Sequence, residues 1–474
     1  MNNKMIIYLL FGFILFTACE DDKNESEDVV DTGDTTDQVD STDTTDDEPA
    51  AIETPTSYAF DSRFNEGESS VKYSGQVVRN LLLNDIKVLT SRLSSEGASP
   101  LTVEDLTNLY NYDDALDLTS QTSTDPAPLE AKYSSISTGK NLIGKIDDEV
   151  VYGFDKTADE LMTDWFAIVA EKSAVASNLE SNLAFTSDDG LDLSQMINKT
   201  LLGAVPYSQG TSNYLGSLED DGNAEASSEG GNYTEMEHHW DESFGYFGAA
   251  VDYNFYTDDE IKSPGYKDSN EDGSIDFISE YNHGISKNAA KRDIGAASGT
   301  VDFTKTIMDA YLEGRTLIHN QADISEILAQ RDIIVNTWEK VIAATVIHYI
   351  NDTAADMAAL YPADSTAGPL SPLVADLNKH WGEMRGFTIA LQYNDFALIS
   401  DADLEEVSLA MGTSPVYPED GYTEFYAYHG ALLSTIRDTF QEAYGFSDED
   451  LSLIHISEPT RRRGMAFAVV CVKK

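Results

Sequence analysis

Residues 239–246 read His239-Trp240-Asp241-Glu242-Ser243-Phe244-Gly245-Tyr246, and residues 380–387 repeat the frame as His380-Trp381-Gly382-Glu383-Met384-Arg385-Gly386-Phe387. With 8 His and 4 Trp in 474 residues, chance is a poor explanation for two copies of His-Trp-x-Glu-x-x-Gly-aromatic. In a helix, positions i and i+3 share a face, so each copy directs an imidazole and a carboxylate to one spot. The copies begin at His239 and His380, 141 residues apart, which is the size of a four-helix unit. This spacing predicts an all-α fold: a duplicated helical bundle of two pseudo-repeat four-helix units with long irregular loops.

Periodicity elsewhere agrees. Val78, Leu82, Ile86 and Leu89 step by four and three, as do Leu433, Ile436 and Phe440, and Ile334, Trp338, Ile342 and Val346 form one stripe within 324–350. Further helices are expected over 158–175, 303–319, 373–396 and 402–411, the last with Ser400-Asp401 as its cap. His348 and Tyr349 read as the end of an apolar helix, where His commonly caps carbonyls. Strand-like alternation is scarce. The stretches 113–150, 203–234 and 249–285, rich in Ser, Asp, Gly, Asn and Tyr, are expected to be irregular, and loops this long are usually functional or ordered by something else.

At the N-terminus, Lys4, the apolar run Met5 to Phe16 and the frame Phe16-Thr17-Ala18-Cys19 have the layout of a removable export signal, too short to span a bilayer. The frame resembles the lipobox of bacterial lipoproteins, in which the Cys becomes the lipidated first residue. Residues 1–18 are therefore expected to be a signal peptide, Cys19 a lipidation site and the chain an outer-membrane lipoprotein, periplasmic or surface-exposed. Residues 19–57 read as a solvated tether: Glu20 to Glu48 carry fourteen acids and one Lys, a composition that cannot bury a core. The cluster Glu20-Asp21-Asp22 resembles surface-export signals that follow the lipidated Cys. At the other end, residues 451–474 resemble the translation of a sequencing-library adapter rather than native protein. The expected folded domain is 58–450, with halves of about 58–300 and 301–450.

The chain carries 84 acidic and 30 basic residues, a net charge of −54. With no concentrated basic patch visible in the sequence, phosphate backbones would be repelled, which argues against nucleic acid as a partner and points to cations. There are 2 cysteines, Cys19 and Cys471 in the suspect tail, so stability is expected to come from a core and not from disulfides.

Imidazole and carboxylate together suit iron, zinc and other transition metals, and His239, Glu242, His380 and Glu383 would supply four ligands, two from each half. Glu235-x-x-His238 repeats the i, i+3 relation immediately upstream. The competing reading makes the His-Trp pairs helix-packing residues. A second candidate is the loop Asp268-Ser269-Asn270-Glu271-Asp272-Gly273-Ser274-Ile275-Asp276, which has calcium-loop spacing, with Asp268, Asn270, Asp272, Ser274 and Asp276 as oxygen donors and Gly273 at position six. Position twelve is Ser279, and the nearest acid, Glu280, falls one residue late. No Gly-rich phosphate loop, nucleophile elbow or His-Glu-x-x-His helix is present in the sequence.

The run 237–248, Glu-His-His-Trp-Asp-Glu-Ser-Phe-Gly-Tyr-Phe-Gly, with the 268–276 loop, Asn288-Ala289-Ala290-Lys291-Arg292-Asp293 and His380-Trp381-Gly382-Glu383, resembles an uncharacterised-domain family of bacterial lipoproteins. That family is similar in turn to the imelysin-like proteins, whose His-x-x-Glu motif corresponds here to His239 and Glu242. Imelysins carry Gly two residues before that His, where this chain has Glu237. The resemblance implies a lipoprotein linked to iron uptake, with a metal-uptake receptor as partner. Imelysins were first classed as metallopeptidases.

The expected function is a lipid-anchored protein binding a transition metal or an iron-containing ligand where its halves meet. The alternatives are a zinc metallopeptidase using His239 and Glu242, and a scaffold or adhesin component that presents its Tyr-rich loops. An open coordination position with a nearby general base would favour the peptidase, and a closed four-ligand site would favour binding without turnover.

Overall fold

The computed structural model describes residues 51–293, 302–360, 368 and 371–453. The signal peptide, Cys19, the tether up to residue 50 and residues 454–474 of the suspect tail lie outside the described residues. Among the described residues the fold is helical, with isolated β-bridges and no strand. None of the described helices is long and apolar enough to cross a membrane.

The helices of eight residues or more are α1 (Ser74–Ser91), α2 (Val103–Tyr110), α3 (Ala158–Ala174), α4 (Leu193–Leu202), α5 (Glu235–Phe247), α6 (Gly284–Asp293), α7 (Phe303–His319), α8 (Ile324–Leu360), α9 (Pro372–Ala390), α10 (Asp401–Met411), α11 (Tyr422–Ala431) and α12 (Arg437–Tyr444). Helix α8, 37 residues long, is the axis of the core. Its stripe Ile334, Trp338, Ile342 and Val346 is fully buried. Helices α7 and α9 lie along α8, α4 packs on α9, and α1 lies on both α4 and α5. Capping boxes begin α2 (Thr102 and Asp105), α3 (Thr157 and Glu160) and α5 (Thr234 and Glu237). Ser400 caps α10 as its sequence predicts, accepting the Asp403 N–H.

Three expectations about secondary structure differ from what is found. Residues 203–215 are not irregular: Gly203–Tyr207 and Gln209–Leu215 extend α4 as π-helical turns, with Pro206 inside and Gly203 to Tyr207 all buried. Local propensity is overruled there by packing against α5 and α9. Helix α9 ends at Ala390, short of the expected 396. Helix α8 runs on to Leu360, so His348 is interior to it, and its Nε2 lies 3.3 Å from Asp352 one turn later. Helix α4 was missed although Leu193, Met196, Ile197 and Leu201 fall at helical spacing opposite Ser194, Gln195, Asn198 and Lys199; the fold then buries both faces.

Candidate metal site and its surroundings

Helix α5 divides its residues between two environments. On one face, Trp240 donates its indole N–H to the Tyr311 carbonyl at 3.0 Å. The buried carboxylates of Glu237 and Asp241 are both engaged by Arg315 of α7, at 3.0 Å each. Glu237 also closes the capping box and pairs with Arg63 at 3.2 Å. In Glu237-His238-His239-Trp240-Asp241-Glu242, the first Glu, the Trp and the Asp therefore hold the fold. His238, His239 and Glu242 face away from them and line a cavity of about 360 Å³.

The His239 Nδ1 lies 2.7 Å from Asp221 Oδ2 and 2.9 Å from the Ser217 hydroxyl. Without an ion, an Nδ1–H is donated to this carboxylate; an ion held jointly by His239 and Asp221 would take the place of that proton on Nδ1. Burial acts to lower the His239 pKa, but the carboxylates of Asp221, Glu242 and Glu235 outweigh it and raise the value. Asp221, Glu235 and His239 each offer a ligand atom, and these atoms lie within 4.8 Å of one another. The sequence offers Glu235 as an extension of the half-site through its spacing to His238, and the structure groups it with His239 instead, whereas Asp221 was missed. The i, i+4 spacing of Glu235 and His239 was a usable signal, whereas Asp221 lies in the preceding loop and only folding brings it near.

Glu242 stands apart from that trio: it accepts from the Gln76 side-chain amide at 2.6 Å and lies 3.9 Å from His238 Nε2. Burial lowers the His238 pKa, and its Nδ1 is buried with no hydrogen-bond partner among the described residues.

The second copy has similar local geometry but different partners. His380 Nδ1 is 2.7 Å from Asp356, whose carboxylate outweighs burial and raises the His380 pKa. Glu383 accepts from the Tyr349 hydroxyl at 2.8 Å and lies 3.9 Å from Lys199, while Trp381 donates to the Tyr428 hydroxyl. Burial would raise the Glu383 pKa, but the charges of Lys199, Lys379 and Lys87 lower it. The motif glycines serve close helix contact in both copies: a Cβ on Gly245 would come within 2.6 Å of Tyr73 Cβ, and one on Gly386 within 2.6 Å of Lys199 Cβ. Among the described residues, His239, Glu242, His380 and Glu383 do not come together as one cluster of ligand atoms.

In the 268–276 loop, the Asp268 carboxylate accepts the N–H groups of Asp272 and Gly273, and Asp272 accepts from Ser274. Asn270 accepts the Asp272 N–H, and Asp276 accepts the Ile278 N–H. Glu280 is buried and closes the loop from the far side, accepting from Ser269, Asn270 and Asp276. Ile275 bridges to Pro128, which ties the loop to residues 127–129. The acids of this loop do not form a close cluster of ligand atoms like that around His239.

Fold and site together define an all-helical protein with an imidazole–carboxylate centre at the start of one core helix. The chain belongs to the family described as Domain of unknown function (DUF4856), whose model matches residues 55–371. That span includes Asp221, Glu235, His239 and the 268–280 loop, and ends before His380. No curated protein and no solved structure matches the chain.

Proposed function

We propose that this chain is a lipid-anchored protein of the outer membrane or cell surface, attached through Cys19, that holds a transition-metal ion, iron or zinc, at Asp221, Glu235 and His239. The observation that carries the reading is the convergence of those three ligand atoms, all within 4.8 Å of one another. Three protein ligands leave room for water or a metal-bound molecule, and a cavity of about 520 Å³ lined by Glu235, His238 and His239 supports binding of a metal-containing ligand. A receptor for metal uptake is the partner this role calls for. The 268–280 loop is a calcium staple in the same proposal, because each carboxylate keeps lone pairs beyond those spent on backbone N–H groups.

Elemental analysis of tag-free protein purified without chelator tests the metal reading. About one equivalent of iron or zinc is expected, lost in Glu235→Gln and His239→Ala; metal-free wild type that takes up none on titration overturns it. For the anchor, Cys19→Ser is expected to leave the membrane fraction, and a variant that still sediments with membranes would count against it.

A further inference from the structure

The cavity beside His239 is basic in a strongly acidic chain. Lys72, Arg79, Lys140 and Lys145 line it against two carboxylates, Glu229 and Glu242, although acids outnumber bases 84 to 30 overall. Arg79 is 6% exposed. Its Nε donates to the Asn141 carbonyl at 2.8 Å, and its charge lies close enough to the Tyr246 hydroxyl to oppose the effect of burial on that group's pKa. Lys145 is half-buried, and its pKa is lowered by burial and by the charge of Arg79, against the pull of Glu242. Cations gathered in a partly buried space repel one another unless an anion joins them.

The wall adds a further positive end. Residues 73–76, the start of α1, line the same cavity. Tyr73 gives that helix no side-chain cap, and its first turn carries no acid. A helix start of this kind favours a negative ligand through its free N–H groups and its dipole.

We propose that this cavity binds a phosphate-class dianion, either inorganic phosphate or a small phosphomonoester, with Arg79, Lys140 and Lys145 as its charged contacts. Two excess positive charges match a dianion, and a volume of about 360 Å³ admits a small ligand. Arg79 supplies the fork suited to paired phosphate oxygens. The site needs no metal: His239 lies in its wall, but the charged contacts are Arg79, Lys140 and Lys145.

Isothermal titration of EDTA-treated protein at low salt tests it, with inorganic phosphate and glycerol 2-phosphate as probes. Saturable binding of at least one is expected, weakening as salt rises. The tighter of the two identifies a free or an esterified phosphate. Lys140→Gln with Lys145→Gln should weaken binding about tenfold or more, since hydrogen bonds to charged groups are the stronger kind. Arg79→Gln should do the same, but Arg79 is buried, so the half-exposed lysines carry the test if that variant folds poorly. Flat titrations for both probes, or a folded double lysine variant that binds like wild type, would overturn the proposal. Chelation keeps these outcomes separate from failure of the metal site.

Discussion

The Nε of Arg315 donates to Asp241 Oδ1 at 3.0 Å, with both side chains fully buried. The same guanidinium reaches Glu237 and the Ser70 hydroxyl, while Tyr58 donates to Asp241 at 2.8 Å. One residue of α7 thus engages two carboxylates of the helix that carries His239, and Arg63 adds a second positive charge at Glu237. Arg315→Met should cost about 3–5 kcal/mol, because it strands buried charge. Urea denaturation measures this, and a loss under about 1 kcal/mol would mean that solvent or another cation reaches the acids.

The two His-Trp copies should behave independently toward metal. His239 pairs with Asp221 and His380 with Asp356, and no ligand is common to both. His380→Ala is therefore expected to keep the metal content of wild type, while His239→Ala loses it. Equal losses in the two single variants would restore the shared site that the duplicated motif suggests.

His283 sets a pH dependence. It is 4% exposed and 2.9 Å from the Phe277 carbonyl, and burial pushes its pKa down to about 4, with Lys287 adding to the effect and the carbonyl opposing it. The unfolded value is near 6.5, so the folded state resists protonation. Its contribution is complete above about pH 6.5 and is lost as pH falls toward and through about 4, by about 3 kcal/mol. Urea midpoints between these pH values should fall less steeply in His283→Gln than in wild type; parallel slopes would assign the loss to other groups.

Calcium should raise the melting temperature progressively with excess ion, because a ligand of the folded state alone stabilises by mass action. Asp268→Ala should abolish that rise, since Asp268 organises the turn through the N–H groups of Asp272 and Gly273. A calcium response that survives this substitution would place the ion elsewhere.

The helical class and several elements nearly to the residue are legible in the residue pattern, including Phe303–His319 and the buried stripe of α8. Those readings depend on local periodicity and caps, which neighbours i, i+3 and i+4 settle among themselves. The importance of His239 and Trp240 was also legible, because a rare pair recurring in one frame needs no fold to be noticed. Which carboxylates meet which imidazole follows from how the helices and loops pack. Asp221 reaches His239 from a loop, Glu383 turns to Tyr349 and Lys199, and Arg315 claims the acids of α5. Packing likewise makes residues 203–215 helical and brings lysines far apart in the chain into one cavity. Such pairings depend on distance in space, which chain order does not encode locally, and on burial, which can override propensity.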